Sequence, residues 1–378
     1  MSDVVIAGYV RSPFHLAYKG ALAKVRPDDL AANTILGLIE KTGVKPEDVE
    51  DIVMGCAFPE GEQGFNIARL VGLLADLPLS VGGMTVNRFC GSSMSAIHYA
   101  AGQIALGAGD VFICAGIESM SRVPMTGFNP MPNPALAEKS AAYIGMGDTA
   151  ENVAKKYDLS REDQEAFALK SQEKTAAAIE AGKYKDEIVP YILPDGTVID
   201  ADGTPRPGTT AEALAGLKLA FDENGTVTAG TSSPLTDGAT AVLVCSEDYA
   251  KANGLTIMAK IKSMAISGCA PEIMGIGPVG ASQKALERAG LTIDDIDIVE
   301  LNEAFASQSI ATVRDLGISE EKLNIDGGAI AIGHPLGATG ARIVGKAAQL
   351  LQREGKKYSL STQCIGGGQG IATILEVA

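Results

Sequence analysis

Apolar residues run from Val4 to Val10, the pattern of a strand buried on both faces, and Arg11-Ser12-Pro13 ends it. From Pro27-Asp28-Asp29 to about Thr42, Leu30, Ala31, Ile35 and Leu38 fall at helical spacing, and Gly43 stops the helix. A turn from Val44 then leads into a second strand that ends near Met54. Gly83-Met84-Thr85-Val86 reads as a short strand, Ser95–Ala101 as helix, and Val111–Gly116 as an all-apolar strand. Strands alternating with helices predict parallel βαβ units.

The pattern changes after residue 119. Pro124, Pro130, Pro132 and Pro134 leave 120–145 without periodicity. Ser160-Arg161-Glu162-Asp163 opens a helix that runs to Gly182, and Pro194-Asp195-Gly196 and Ala201-Asp202-Gly203 read as turns. The stretch 120–245 is expected to be a loop-rich insertion.

The periodic pattern then returns and repeats. Glu40–Val44, Glu47–Val49 and Ala57-Phe58 match Glu287–Leu291, Asp294–Ile296 and Ala304-Phe305 at a constant offset of 247. A duplicated layered α/β fold follows: an N-terminal half over 1–119 completed by 246–264, the insertion over 120–245, and a C-terminal half over 265–378. The helix beginning near Cys90 and the helix after Gly340 become counterparts. Duplication brings the 90 region and the 334–366 region to one pocket.

Composition narrows the function. The chain has 378 residues and no run of eighteen apolar ones, so no membrane-spanning helix or membrane insertion is expected. Neither end reads as a targeting signal. Six scattered cysteines without CxxC spacing argue against a disulfide framework and a zinc site, and make a reducing cytoplasm the simplest compartment. A net charge of −15 opposes nucleic-acid binding, and an anionic small molecule would need a local basic patch. An imidazole-dependent mechanism has only His15, His98 and His334 to choose from.

Four stretches carry candidate chemistry. In Asn87-Arg88-Phe89-Cys90-Gly91-Ser92-Ser93-Met94, a cysteine sits at a strand-to-helix junction, where free backbone N–H groups would stabilise a thiolate. Asn302 lies at a strand end in Leu301-Asn302-Glu303-Ala304-Phe305-Ala306, as a hydrogen-bonding group or a turn residue. His334 lies in a glycine-rich loop, Gly327–Arg342, which lacks the lysine and spacing of a phosphate cradle. Cys364 precedes Gly366-Gly367-Gly368. Each alone reads equally as a packed residue.

Together, in this order, they resemble the thiolase superfamily across the whole chain. Arg11–Phe14, Cys90-Gly91-Ser92, Gly116–Ser121, Thr149–Asn152, Gly225–Gly230 and Asp237-Gly238-Ala239 share the resemblance. Gly230-Thr231-Ser232-Ser233 and the Gly366–Gly370 ending are most similar to degradative 3-ketoacyl-CoA thiolases. Biosynthetic acetoacetyl-CoA thiolases, the alternative, usually carry a histidine where Gly145 stands before Met146.

The resemblance implies an acyltransferase of thiolase fold that uses coenzyme A and acyl-CoA as substrates, with no permanently bound cofactor and no metal. It implies Cys90 as nucleophile, His334 as its base, Cys364 as acid and base on the other substrate, and Asn302 holding a water beside His334. The amides of Cys90 and Gly366 would form a second oxyanion hole. It maps coenzyme A contacts onto Met146, Arg206, Phe221, Ala229, Ser233 and Phe305; Pro234 departs from the small residue usual after Ser233. It also implies a homodimer, or a homotetramer through the 120–145 loop, and a β-oxidation multienzyme partner.

Overall fold

The computed structural model describes residues 3–378. The first apolar run is strand β1 (Val4–Arg11). Helix α1 (Pro27–Thr42) has proline in its first turn and ends at Gly43, whose φ of 70° suits glycine. Next come β2 (Asp51–Gly55), α2 (Ile67–Leu74), β3 (Gly82–Val86), α3 (Ser92–Ala105) and β4 (Val111–Ser119). Two helices of the insertion are α4 (Met146–Lys156) and α5 (Arg161–Glu180); Ser160 and Asp163 form the expected capping box of α5. The layered part resumes with β5 (Thr236–Ser246), β6 (Ala259–Gly268), α6 (Gly277–Ala289), β7 (Ile298–Leu301) and α7 (Ala306–Leu316). It closes with α8 (Thr339–Glu354), β8 (Tyr358–Ile365) and β9 (Gln369–Val377).

The offset of 247 extends through the elements. β2 and β7 begin at 51 and 298, α3 and α8 at 92 and 339, β4 and β8 at 111 and 358. Gly43 and Gly290 end α1 and α6 in the same left-handed conformation, at φ 70° and 67°.

The main strands run β7-β8-β9-β6-β1-β5-β4-β2-β3. The halves meet where Val5 and Ile6 of β1 pair with Lys260 and Ala259 of β6. The sheet is mixed. β2 pairs in parallel with β3 and β4, and β7 with β8, while β5 and β9 run antiparallel to their neighbours. Gly366–Gly368 makes the antiparallel step from β8 to β9 possible within a tight turn.

Three cores define five layers. One lies between α1, α2 and the outer face of the N-terminal strands. A second encloses α3 and α8 between the two sets of strands. A third lies between α6 and the outer face of the C-terminal strands. On β1, Val5, Ala7 and Val10 serve the first core and Ile6 and Tyr9 the second, so its uninterrupted apolar run follows from burial on both faces. Helices α3 and α8 meet closely at their N-termini: a Cβ on Gly340 would lie 2.4 Å from the Met94 nitrogen.

Two expected boundaries shift. Thr236–Ser246 is a fully buried strand between β1 and β4, so the loop-rich unit ends before it. Strand β6 pairs along its length with β9 and only briefly with β1, so a division at 264/265 cuts a strand of the C-terminal half. Both segments follow irregular or polar turns, and their partners are distant in sequence.

The insertion is tied to the layers by buried charge. Arg11 bonds Glu187 at 2.6 Å and reaches both carboxylate oxygens of Asp202 at 2.6 and 2.8 Å. Lys346 of α8 pairs with Glu187 and Asp326, each at 2.9 Å. Asp202, expected only as a turn residue, is thus an ion-pair partner. Removing one member of such a network costs about 3–5 kcal/mol, because it strands a buried charge.

Candidate active site

Cys90 lies in the turn Phe89–Gly91, immediately before α3. The turn is strained: Phe89 has φ 43°, unusual for an aromatic residue. Side chains hold it. Asn87 Oδ1 accepts from the Phe89 amide at 2.8 Å, Ser92 Oγ accepts from the Arg88 amide at 2.9 Å, and Ser92 donates to the Phe89 carbonyl at 2.6 Å. Gln363 donates through Nε2 to the Cys90 carbonyl. The amides of Gly366 and of Cys90 itself point at the sulfur.

His334 arrives from the other half. Its backbone N–H donates to Thr236 Oγ1 at 3.0 Å, and its Nδ1 lies 2.5 Å from Thr339 Oγ1. That hydroxyl also lies 2.9 Å from the Pro335 carbonyl, which takes its one proton and leaves it to accept from the ring, in keeping with the Asn302 amide donor that faces Nε2. Nδ1 therefore carries the hydrogen and Nε2 a lone pair. Asn302, fully buried just beyond β7, turns its Nδ2 toward Nε2 at 3.4 Å and keeps Oδ1 free of any protein partner.

Cys364, near the end of β8, donates its S–H to Gln308 Oε1 at 3.3 Å. Around it pack Ala150, Val227, Met274, Ala304 and Phe305. The two thiols are close enough for the charge of Cys90 to act on Cys364. Glu118, ending β4, links the surrounding loops. It accepts from the amides of Ala57 at 2.8 Å, Phe58 at 3.2 Å and Gly337 at 2.8 Å, and from Gln63 Nε2 at 3.0 Å.

Electrostatics correct one expectation. Burial pushes the Cys90 thiol up to about 12, against the lowering effect of the Gly366 and Cys90 amides. Cys364 is likewise raised well above an ordinary thiol, first by burial and then by Cys90. The thiolate-stabilising effect of helix α3 is thus outweighed by desolvation. Burial, assisted by Arg342, holds His334 down to about 3. The resting site holds a neutral thiol and a neutral imidazole, not an ion pair.

A cavity of about 490 Å³ opens over Cys90 and Gly366, with Phe58, Phe89, Met125, Tyr143, Met146 and Leu336 among its walls. Met146 also approaches Gly366, and Phe305 meets Phe221 edge to face at 6.0 Å. Arg206 and Ala229 line a separate hollow of about 140 Å³ with Ser232 and Pro234, and Ser233 donates its amide to the Ala304 carbonyl at 3.0 Å. The expected coenzyme A residues therefore form two groups, Met146, Phe221 and Phe305 about the Cys364 cluster and Arg206 and Ala229 at the separate hollow, with Ser233 bonded to the cluster through Ala304. A larger hollow of about 590 Å³ lies between α5 and α7, away from both thiols. Its Lys170 pairs with Glu320, and its Lys174 donates to the Glu320 and Leu323 carbonyls.

Three contributors were not singled out as site residues from the sequence: Glu118, Thr339 and Gln308. A carboxylate closing an all-apolar strand was the legible signal for Glu118. For Thr339 and Gln308, the partner lies in a contact that spacing does not reveal. Among the described residues, no group of three or more His, Cys, Asp or Glu could hold a metal ion, and no helix is long and apolar enough to cross a membrane.

Family models for the N-terminal and C-terminal domains of thiolase match residues 4–248 and 255–377. A Bacillus subtilis protein named 3-ketoacyl-CoA thiolase is 48% identical over 391 residues, covering 100% of both chains. A Marinobacter nauticus protein of the same name is 50% identical over 385 residues, covering 99% of this chain and 98% of its own. The crystal structure of human mitochondrial 3-ketoacyl-CoA thiolase superposes with a TM-score of 0.92 at 38% identity, covering 100% of this chain and 99% of that one. The same human enzyme in complex with CoA gives an equal score, with 98% of that chain covered.

Proposed function

The chain belongs to the thiolase family, and from that membership we propose how its residues divide the work of cleaving a 3-ketoacyl-CoA. The enzyme is an acyltransferase: it cleaves a 3-ketoacyl-CoA with coenzyme A to give acetyl-CoA and a shortened acyl-CoA, a reaction that reverses as a Claisen condensation. Cys90 attacks the 3-keto carbon while its proton passes to Nε2 of His334. The amides of Cys90 and Gly366 receive the charge that grows on the keto oxygen. Such a donor contributes about 3–4 kcal/mol.

The carbon–carbon bond then breaks. The departing acetyl-CoA enolate is held at its oxygen by protonated His334 and a water on Asn302, and Cys364 protonates its α-carbon. The Cys364 thiolate takes the proton of incoming coenzyme A, whose sulfur displaces the acyl group from Cys90. Cys90 recovers its proton from His334, and each group returns to its starting state.

The observation that carries this reading is two buried thiols, close enough for the charge of one to act on the other, together with a buried imidazole whose Nε2 faces the amide of Asn302. The exposed Gly145 in place of a histidine favours the degradative direction over acetoacetyl-CoA synthesis. Met146, Phe221 and Phe305 would hold the pantetheine arm of coenzyme A near Cys364, with Ala229 and Ser233 further along. Arg206, exposed, would supply positive charge for the nucleotide end. The 490 Å³ cavity would take the acyl group carried by Cys90. The expected division into an N-terminal half, a loop domain and a C-terminal half is retained, with β5 and β6 returned to the sheet.

Edge strand β3 is paired on one side only, by β2; exposed Leu79 lies just before it, and exposed Phe65 adjoins Asn66, whose side chain bonds Gly83 and Thr85 of the strand. This supports a homodimer formed across that edge, with a tetramer through the 120–145 loop as the larger assembly. A cytoplasmic enzyme of fatty-acid β-oxidation, with no permanent cofactor and within reach of a multienzyme partner, fits this activity.

The test is a panel of 3-ketoacyl-CoA chain lengths assayed for CoA-dependent cleavage, with mass spectrometry of peptides after acetyl-CoA is added alone. Cleavage and an acyl group on Cys90 are expected. An acyl group found on Cys364 and not on Cys90 overturns the division of roles.

A further inference from the structure

The proton carried by Cys364 leaves a difficulty. A buried thiolate must exist between protonating the enolate and accepting a proton from coenzyme A. Apart from the amide of Cys364 itself, the side chains of its hydrophobic cluster are apolar and offer no donor. The titratable groups acting on the sulfur are Cys90 and Cys269, and both oppose its ionisation. One polar side chain touches the sulfur: Gln308 of α7, fully buried. Its Oε1 accepts from the thiol at 3.3 Å, and its Nε2 is buried with no hydrogen-bond partner. A buried amide normally satisfies both ends, and an orphaned donor costs about 1–3 kcal/mol.

We propose that Gln308 is a positioning residue that serves Cys364 in both of its protonation states. While Cys364 is a thiol, Oε1 accepts its hydrogen and fixes where the S–H points. When the proton moves to the enolate carbon, a half-turn of the terminal amide brings the unpartnered Nε2 hydrogens onto the sulfur anion. When coenzyme A returns a proton to the sulfur, the amide turns back. The amide itself neither gains nor loses a proton. The torsion involved is the broad, roughly two-fold χ3 of glutamine, so the turn meets no staggered barrier. The stem is held in place: a Cβ on Gly275 would lie 2.6 Å from Gln308 Cβ, so the helix and the 270s turn are in close contact there.

The inference rests on Cys364 as the proton carrier, and its test separates the two claims. Gln308→Met keeps the length and removes both polar ends. Gln308→Glu keeps an acceptor and, when ionised, removes the donor. Proton–deuterium exchange at the acetyl methyl of acetyl-CoA, followed by NMR, reads the Cys364 step. Acylation of Cys90 by p-nitrophenyl acetate is the control, because its phenolate leaves without needing a proton.

Gln308→Met is expected to slow exchange about tenfold to a hundredfold, as for a hydrogen bond to a charged group, while acylation stays within about threefold. Gln308→Glu is expected to move the exchange profile to higher pH by about one unit or more, because a carboxylate disfavours the thiolate. Exchange at the wild-type rate in Gln308→Met overturns the inference. So does an equal loss of exchange and acylation, which would mark a packing role. Undiminished exchange in Cys364→Ser overturns the reading beneath it; its loss there with none in Gln308→Met sinks the Gln308 inference alone.

Discussion

The Nδ1 atom of His334 lies 2.5 Å from the hydroxyl of Thr339, a residue five positions later in the first turn of the next helix. Because Thr339 gives its own hydrogen to the Pro335 carbonyl, a local loop-to-helix contact decides which nitrogen of the only site imidazole is basic. Thr339→Val should release that choice and lower kcat about tenfold to a thousandfold with little change in KM, whereas Thr339→Ser should restore most of it. Steady-state kinetics of the two variants decide; equal rates would show that the tautomer is fixed elsewhere.

The resting thiol should betray itself by its pH dependence. Cys90 is held at about 12, so its thiolate fraction is small at neutral pH and climbs throughout the accessible range. Alkylation by iodoacetamide, measured on the free enzyme, should rise about tenfold per pH unit from about 7 to 10. A plateau below pH 9 would mean an ion pair with His334 instead.

His98 lies on α3 and bonds Thr373 Oγ1 at 2.8 Å, and burial holds it down to about 3. Its folded value lies below its unfolded one. It therefore stays neutral in the folded chain while the unfolded chain takes up a proton below about pH 6.5, and stability is lost as the pH falls from there toward 3. In urea titrations at about pH 7.5 and about pH 5, wild type should lose more stability than His98→Gln. Parallel losses would show that His98 is not the group responsible.

Glu118 holds loops from both halves with one carboxylate. Its pKa is raised by burial and pulled back by four hydrogen bonds. Glu118→Ala should destabilise the chain by about 3–5 kcal/mol, since three buried amides lose a charged acceptor. Glu118→Gln should fold better and still acylate Cys90 more slowly, because a Gln amide has one acceptor oxygen for the same donors. Denaturation and acylation rates measured together check both expectations.

Assembly offers a simple measurement. Light scattering at micromolar concentration should give at least twice the 39.0 kDa of one chain. Phe65→Asp, on a side chain 92% exposed beside the open edge strand, should shift the balance toward the single chain. A single-chain mass for the unaltered protein would refute the edge-paired dimer.

The sequence by itself determined the periodic elements and the duplication. β1, α1, α3 and β4 were legible because their apolar spacing is a local property, and the offset of 247 needed no coordinates. It also marked Cys90, Asn302, His334 and Cys364, since each stands at a break between a regular run and a glycine or a helix start. What the spacing left open, only tertiary structure decided. Strands β5 and β6 joined the sheet through partners more than a hundred residues away for β5 and β9 for β6, so local pattern alone placed β5 in the insertion and divided β6 between the two halves. Asp202 became a buried ion-pair partner because Arg11 lies across from it, not because of its neighbours. The thiol of Cys90 rose where its place before a helix suggests a fall, because desolvation depends on everything packed around the sulfur. Gln308 acquired its partner in the same way, and Thr339 met His334 through the shape of a local turn: burial and hydrogen bonding are fixed by three-dimensional neighbours, which a linear pattern does not contain.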